Sequence, residues 1–218
     1  YPVLVRPSYV LGGRGMQIVY DDDGLSKFVK QATEISGEHP ILIDRFLEDA
    51  FEFDVDALCD GEDVLIGGIM QHIEEAGVHS GDSSCVIPAY SLSEELRDEI
   101  KSHTKNLALR LHTKGLINIQ FAIKDKQIYT LEVNPRASRT IPFVSKVTNV
   151  PLAKYAAQIS TGVMIRDLDI NAPRKDLIAV KKPVFPFNKF PQQNIFLSPE
   201  MKSTGDAIGF DNKLGSAF

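Results

Sequence analysis

Two neighbouring segments near the middle of the chain carry polar side chains that could bind a metal ion and phosphate. Within residues 117–134, two runs alternate apolar with polar side chains, the period-two pattern of half-buried strands. With both apolar sets on one face, Gln120 lies opposite Glu132, because a one-residue slip would turn one set towards water. In the same register Asn118 lies opposite Asn134, and directly opposed side chains are about 5 Å apart at Cβ. The pattern predicts a hairpin with one polar face.

The apolar residues of this hairpin also predict how its far end closes. The same register pairs Phe121 with Leu131 and Ile123 with Tyr129. It leaves residues 125–127 as a three-residue loop, which is an allowed hairpin length.

The polar face combines oxygen ligands with nearby cations. Carboxylate and amide oxygens suit Mg²⁺, which usually completes its coordination with substrate phosphates. Arg136 and Arg139 follow the second strand, and guanidinium groups bind phosphate or carboxylate through paired hydrogen bonds. The ordinary alternative is a solvated face on an amphipathic hairpin. Two arginines so soon after Glu132 and Asn134 favour a binding site.

Composition limits the classes of protein to which the chain can belong. At 218 residues and 43% hydrophobic residues, it has room for one large domain or two small ones with a packed core. A net charge of −5 argues against a nucleic-acid surface. Cys59 and Cys85 fit no metal spacing and no disulfide framework, which favours a reducing compartment. No apolar run has membrane-spanning length and no signal peptide is visible, so we expect a cytoplasmic protein.

Three helices and five strands follow from the remaining periodicity and from turn residues. A glycine-rich loop at residues 8–16 separates the first two strands and would let backbone N–H groups approach an anion, although a plain mobile turn is as good a reading. Ser91 with Glu94 matches a capping box. We expect helices at 25–36, 91–113 and 151–161, and strands at 3–6, 17–20, 41–47, 52–58 and 64–70.

Two polar stretches have competing interpretations. Asp54 and Asp56 lie on the acidic face of a strand and are as well explained by a solvated edge as by a function. Residues 71–84 are dense in polar groups and predict a surface loop that lines a site. His72 and His79 lack a tight paired spacing, which disfavours a transition-metal site there.

The chain divides into three predicted segments. Residues 1–70 form a lid subdomain, and residues 71–166 form a subdomain that carries the polar hairpin. Residues 167–218 are rich in Pro and Phe and predict an extended arm on a neighbouring domain, because apolar side chains in such an arm need a partner to bury them. The chain begins without Met and ends without a closing element, so we expect it to be a piece of a longer protein.

Several motifs together resemble one family. They are Arg6-Pro7, Ser8 to Arg14, Ala76-Gly77-Val78-His79-Ser80-Gly81-Asp82-Ser83, Asn118 to Ala122 and Glu132-Val133-Asn134-Pro135-Arg136-Ala137-Ser138-Arg139-Thr140. Over nearly the whole length, the chain resembles ATP-grasp domains and, more narrowly, the large chains of carbamoyl-phosphate synthetases. Residues 141–146, 187–191 and 199–205 are similar to the second half of those chains, which phosphorylates carbamate, whereas the first half phosphorylates bicarbonate.

The resemblance implies a fold and an activity. The fold would be α+β of the ATP-grasp type, with two α+β subdomains whose antiparallel sheets enclose a nucleotide site, incomplete at the N-terminus. The activity would be phosphorylation of carbamate by Mg-ATP to give carbamoyl phosphate for arginine and pyrimidine synthesis. Implied partners are the rest of the large chain and a glutaminase small chain or domain, within an oligomer. Because an amino-terminal subdomain would be missing, we expect weak or absent turnover in isolation.

The resemblance also assigns roles to residues. Arg6 would contact ATP phosphates, and Gly12 and Gly13 would form the lid. The nucleotide contacts would be Arg45, Leu47, Glu52, Gly77, Val78, His79 and Ser80. Two Mg²⁺ or Mn²⁺ ions would be held by Gln120, Glu132 and Asn134, and Gln120 and Glu132 would also contact the nucleotide. Arg136 and Arg139 would hold the acyl phosphate with Asn134 beside them. Potassium is a further ion of the family, without assigned residues here.

Two other readings remain open. The chain could be another ATP-grasp enzyme, such as a biotin-dependent carboxylase or a purine-pathway ligase, with a different acceptor. It could also be a non-catalytic module whose Pro/Phe-rich arm docks a partner. That second reading predicts no Mg²⁺-dependent nucleotide binding.

Overall fold

The computed structural model describes residues 1–8, 10, 14–172, 174, 177–189, 192 and 195–218. Two compact units are present. The smaller comprises residues 1–50, 74–83 and 183–205, and the larger comprises residues 51–73, 84–182 and 206–218. These bounds differ from the predicted divisions at residues 70 and 166, because strands on both sides of each division pair within one sheet.

The smaller unit is a three-stranded antiparallel sheet in the order β2-β1-β3 with one helix against it. Its core is Val5, Val19 and Ala32. The helix begins three residues before its predicted start, because the Asp21 side chain caps it by accepting a hydrogen bond from Gly24 N at 2.7 Å. The elements are β1 (Val3–Arg6), β2 (Gln17–Val19), β3 (Leu42–Arg45) and α1 (Asp22–Ser36).

The larger unit is built on a seven-stranded sheet in the order β10-β9-β6-β5-β4-β7-β8. Strand β4 is an interior strand, with β5 and β7 antiparallel on its two sides. Its alternate residues therefore face two different layers. The strands are β4 (Phe51–Cys59), β5 (Val64–His72), β6 (Cys85–Ile87), β7 (Gly115–Lys124), β8 (Gln127–Asn134), β9 (Ile178–Val184) and β10 (Gly205–Asp211).

Helices cover both faces of this sheet. One face packs around α2 (Glu94–Arg110), and the other packs around α3 (Ile141–Thr148) and α4 (Leu152–Ser160). The cap of α2 is Ser93, whose side chain accepts from Leu96 N at 3.3 Å, so the predicted capping box at Ser91 is wrong. Helix α5 (Leu214–Ala217) ends the chain. Sheets with helices packed on them confirm the predicted α+β class.

The β7–β8 hairpin has the predicted register at one end and a different one at the other. Ile119 pairs with Val133, as the pattern predicts, but Phe121 pairs with Thr130 because a β-bulge intervenes. The loop is shorter than predicted: Asp125 and Lys126 both have positive φ, 51° and 63°, and form a two-residue turn. The polar end of the hairpin is therefore as predicted, and the turn end is not.

Two strands of the C-terminal segment, β9 and β10, belong to the seven-stranded sheet. Strand β9 pairs with β6, and Val180 and Lys181 are buried. These strands differ from the extended arm predicted for residues 167–218. Other side chains of the segment are exposed, as Phe196 is (75% exposed). No helix in the described residues is both long and apolar enough to span a membrane.

Candidate functional site

The polar end of the β7–β8 hairpin brings the three predicted metal ligands together on one face of the larger unit. Gln120 lies directly opposite Glu132, and Asn134 lies opposite Asn118. Glu132 is exposed, while Gln120 and Asn134 are half-buried, so all are near solvent. One carboxylate and two amide oxygens fit the preference of Mg²⁺ for oxygen ligands completed by phosphate. Among the described residues, no cluster of three or more His, Cys, Asp or Glu side chains could hold a metal ion.

Strand β4 extends this polar face with acidic side chains. Asp54 lies opposite Gln120, and Asp56 lies opposite Asn118 on β7. Both carboxylates are buried, with 2% and 0% of their surfaces exposed. The reading of these acids as a solvated edge is therefore wrong. Burial of carboxylates is costly unless they have partners, so their surroundings need an explanation.

His72 supplies one such partner. Its Nδ1 lies 3.2 Å from Glu52 Oε2 and its Nε2 lies 3.5 Å from Asp54 Oδ2. Burial alone would lower the pKa of this imidazole, but Cys85 and Asp54 outweigh burial and raise the pKa well above its usual value. His72 lies in β5 and is buried, so the predicted surface loop begins beyond it. The His72 ring thus lies against Glu52, a predicted nucleotide contact.

Asp56 is surrounded by neutral donors instead. Asn118 Nδ2 and Ser138 Oγ donate to its Oδ1 at 2.9 and 2.8 Å, and Thr140 Oγ1 donates to its Oδ2 at 2.6 Å. Burial nevertheless raises the pKa of Asp56 to about 6, against the lowering effect of Thr140, Asn118 and Ser138. Neither Ser138 nor Thr140 has a role predicted from the sequence pattern.

The two predicted phosphate-binding arginines lie in the turn between β8 and α3. Arg136 N donates to Asn134 O at 2.8 Å, and Arg136 Nη2 donates to Asn134 Oδ1 at 3.2 Å. Arg139 is exposed and lies between Ser138 and Thr140 in the chain. The turn thus holds both arginines directly after the predicted metal ligand Asn134.

The smaller unit carries the predicted nucleotide loop. Gly77 has φ +104°, and a Cβ there would lie 2.9 Å from Phe46 Cζ, so only glycine fits without a shift. His79 Nδ1 accepts from Gly81 N at 2.9 Å, which fixes that nitrogen as unprotonated. Val78 and Ser80 are half-buried beside them. A hydrogen bond within the loop therefore fixes the orientation of the His79 ring.

Asp82 ties this loop to a segment far along the chain. Its Oδ2 accepts from Lys202 N and its Oδ1 accepts from Ser203 N, both at 2.8 Å. His79 N donates to Ser198 O at 2.9 Å. Asp82 and Ser203 are buried, so residues 198–203 support the loop, a role that the Pro/Phe-rich composition did not reveal.

A cavity of about 760 Å³ in the smaller unit adjoins the same loop. Gly77 and Val78 line it together with Met16 and Ile18 from the β2 side. The remaining lining residues are Gln17, Tyr20, Glu75, Ala76 and Phe196 to Lys202. A mixed apolar and polar pocket of this size is typical of sites for small ligands.

The other predicted contacts in the smaller unit lie on strands β1 and β3 or just after them. The Arg6 guanidinium Nη1 is 3.2 Å from Asp44 Oδ2. Arg45 is exposed and Leu47 is half-buried. Gly12 and Gly13, predicted to form a lid, lie outside the described residues.

The sequence matches known proteins over its full length. Residues 1–168 match the family described as "Carbamoyl-phosphate synthase L chain, ATP binding domain". The chain is 61% identical to a carbamoyl phosphate synthase large chain of Methanothermobacter thermautotrophicus, aligning over all of this chain and 21% of the relative. It is 58% identical to that of Archaeoglobus fulgidus, with 100% and 20% covered. The chain thus spans about a fifth of the length of these relatives.

Solved structures with the same fold have much lower sequence identity. The biotin carboxylase domain of Hydrogenobacter thermophilus 2-oxoglutarate carboxylase, in complex with MgADP, ADP and bicarbonate, superposes with a TM-score of 0.72 at 20% identity, covering 87% of this chain and 43% of that one. Biotin carboxylase of Campylobacter jejuni gives 0.71 at 17% identity, with 85% and 42% covered. These likenesses confirm a partial ATP-grasp fold.

Proposed function

Because the chain belongs to the family of the ATP-binding domain of carbamoyl-phosphate synthase large chains, we propose that it binds Mg-ATP and phosphorylates carbamate. ATP and carbamate would give ADP and carbamoyl phosphate, as an oxygen of carbamate attacks the γ-phosphorus and the bond to the β-phosphate oxygen breaks. The supporting observation is the arrangement at the end of the hairpin, where Gln120 faces Glu132 and two arginines follow Asn134.

The proposed role of each residue follows from the chemistry of its side chain. Gln120, Glu132 and Asn134 would hold Mg²⁺ or Mn²⁺, which neutralises phosphate charge during phosphoryl transfer. Arg136 and Arg139 would grip the transferred phosphoryl group, because a guanidinium fork matches phosphate oxygens. Arg136 already donates to Asn134 Oδ1 at 3.2 Å, so this arginine is oriented beside the proposed ligands before any substrate binds.

Nucleotide recognition would use the second set of residues. The ordered loop at Gly77 to Ser80 and the apolar wall of the adjoining cavity suit the base, and Arg6 suits the phosphates. Glu52, held by His72 at 3.2 Å, offers a carboxylate to ribose hydroxyls. The proposal assigns the chain to the carbamate-phosphorylating half of its relatives, with the rest of a large chain and a glutaminase as partners.

Calorimetric titration with ADP tests the first part of the proposal. We expect the chain to bind ADP at least about tenfold more tightly with Mg²⁺ than without it, and Glu132→Ala to abolish that difference. Glu95→Ala, which removes an exposed carboxylate from α2, is the matched control and should bind normally. Equal affinity with and without Mg²⁺ would overturn the assignment of the metal face.

A chimera tests the acceptor. This chain would replace the matching segment of the Methanothermobacter thermautotrophicus relative, to which it is 61% identical. ATP formation from ADP and carbamoyl phosphate should survive the exchange and should fall at least about a hundredfold with Arg136→Ala in the chimera. A chimera that binds Mg-ADP but forms no ATP from carbamoyl phosphate would contradict the carbamate assignment.

A further inference from the structure

We propose that Asp56 is a positioning residue for the two arginines: its buried carboxyl group fastens the turn of residues 135–140 to the sheet. The inference rests on the proposed function for its catalytic meaning, because that function gives Arg136 and Arg139 their phosphate. The attachment of the turn to the sheet by Asp56 can be tested without any ligand.

The position of Asp56 makes it a rigid anchor. It lies on β4, an interior strand with β5 and β7 hydrogen-bonded on either side. None of its surface is exposed. Because the backbone at Asp56 pairs with a strand on each side and its side chain is buried, the carboxyl group has little freedom to move. Groups bound to it are therefore fixed relative to the sheet.

The groups bound to Asp56 come from the turn that carries the arginines. Ser138 and Thr140 donate to its two carboxyl oxygens at 2.8 and 2.6 Å. These two residues flank Arg139 in the chain. The turn is thus held at both sides of one arginine, while the backbone hydrogen bond from Arg136 N to Asn134 O holds the other.

The oxygen atoms of this cluster form a ring. Ser138 Oγ and Thr140 Oγ1 are also 2.8 Å apart, so three short oxygen–oxygen contacts link the two hydroxyls and the carboxyl group. Each hydroxyl carries one hydrogen. With Asp56 ionised, both hydrogens point at the carboxylate and the contact between the hydroxyls has none. When the carboxyl group is protonated, it donates to Thr140 Oγ1, the Thr140 hydroxyl turns to donate to Ser138 Oγ, and Ser138 still donates to Asp56 Oδ1, which closes the ring.

Burial and charge favour the closed, protonated ring when the pH falls below about 6. Burial raises the pKa of Asp56 to about 6, and the neighbouring Asp54 contributes in the same direction. The groups that face Asp56 from β7 and from the turn are the neutral side chains of Asn118, Ser138 and Thr140. An asparagine at position 56 would reproduce the protonated form, with its NH₂ group donating where the carboxyl proton does.

Four variants separate positioning from general destabilisation. Asp56→Ala removes the anchor, and Asp56→Asn preserves the ring. Ser138→Ala combined with Thr140→Val removes the turn's donors and keeps Asp56, in case Asp56→Ala does not fold. Thr148→Val is the matched control, because it deletes a buried hydroxyl from the other end of α3, where that hydroxyl donates to Val144 O at 2.8 Å.

The first measurement is the NMR order parameter of the backbone amides of residues 136–140 in the 218-residue chain. We expect values near 0.85 in the unmodified chain and in Asp56→Asn, and values below about 0.6 in Asp56→Ala or the double variant. Thr148→Val should leave them unchanged. Unchanged order parameters in every variant would overturn the proposal, as would an equal loss in Thr148→Val.

The second measurement is the affinity for inorganic phosphate with Mg-ADP bound, compared with the affinity for Mg-ADP itself. We expect Asp56→Ala to weaken phosphate binding about tenfold and Mg-ADP binding less than about twofold, with Asp56→Asn restoring phosphate affinity. An equal loss of both affinities would contradict positioning of the arginines. If the unmodified chain binds neither ligand, the proposed function fails, and the order parameters still decide the role of Asp56.

Discussion

At the scale of single residues, the site depends on three acids that share one face of β4 but have different partners. Glu52 and Asp54 face the His72 imidazole at 3.2 and 3.5 Å, whereas Asp56 faces only neutral donors. Burial raises the pKa of Asp56, while the hydrogen bonds from Thr140, Asn118 and Ser138 lower it. Acids at alternate positions of one strand therefore have different surroundings, which the strand pattern alone does not distinguish.

Asp56 should make the unfolding free energy depend on pH. Its pKa is raised from 3.8 to about 6 by folding, so the folded state binds more protons between these values and stability falls as pH rises through that window. Compared with Asp56→Asn, the unmodified chain should gain about 1–2 kcal/mol on going from pH 7.5 to pH 5. Urea unfolding at the two pH values measures this difference. Parallel pH profiles would show that Asp56 titrates normally.

Gly77 should be intolerant of a side chain for two separable reasons. Its φ of +104° strains any other residue, and a Cβ would meet the Phe46 ring at 2.9 Å. Gly162 is the matched control: it has φ +99° with nothing within 4 Å of its Cβ position. We expect Gly162→Ala to cost about 1 kcal/mol and Gly77→Ala about 1 kcal/mol more. Urea denaturation measures both values, and equal costs would mean that Phe46 moves freely.

At the scale of elements, the β7–β8 hairpin shows which features of the site can be predicted from the sequence and which cannot. Alternation placed Gln120 opposite Glu132 correctly, because a slip there would expose an apolar set. The bulge beyond Gln120 could not be predicted, since no glycine or proline accompanies it. The ring at Asp56 was also hidden, because its hydroxyls come from residues 82 and 84 positions away in the chain. Local sequence patterns predict which face of a strand a side chain occupies. They do not predict hydrogen bonds between residues that are far apart in the chain.

The turn of this hairpin offers a direct test of its backbone. Asp125 and Lys126 both adopt positive φ, which favours glycine, especially at the second position. Lys126→Gly should therefore raise the unfolding free energy by about 0.5–1 kcal/mol. Lys101→Gly, the same change inside α2, should lower it by about 1 kcal/mol. Thermal unfolding of both variants checks the pair, and a destabilised Lys126→Gly would contradict a two-residue turn.

At the scale of the whole molecule, each unit is assembled from separate stretches of chain. The larger unit takes residues 51–73, 84–182 and 206–218, and the smaller takes the rest. Prolines in the C-terminal segment suggested an arm, but Pro183 lies near the end of β9, where strands tolerate proline best when it is near an edge or terminus. The composition of the segment thus concealed two strands. The β-branched residues Ile178 and Val180, which flank Ala179 in a short apolar run, are the signal that could have revealed β9.

A pair of substitutions distinguishes a strand in the core from an arm that waits for a partner. Val180 is 3% exposed and packs with Val86 and Ala217, whereas Phe196 is 75% exposed. Val180→Ala should lower the unfolding free energy by about 1–3 kcal/mol, because it opens space in a closed cluster. Phe196→Ala should change it by less than about 0.5 kcal/mol, because the side chain is already in water. Urea denaturation of the 218-residue chain measures both. If β9 were part of a loose arm, Val180→Ala would change the unfolding free energy as little as Phe196→Ala. That result would contradict the pairing of β9 with β6 in the seven-stranded sheet.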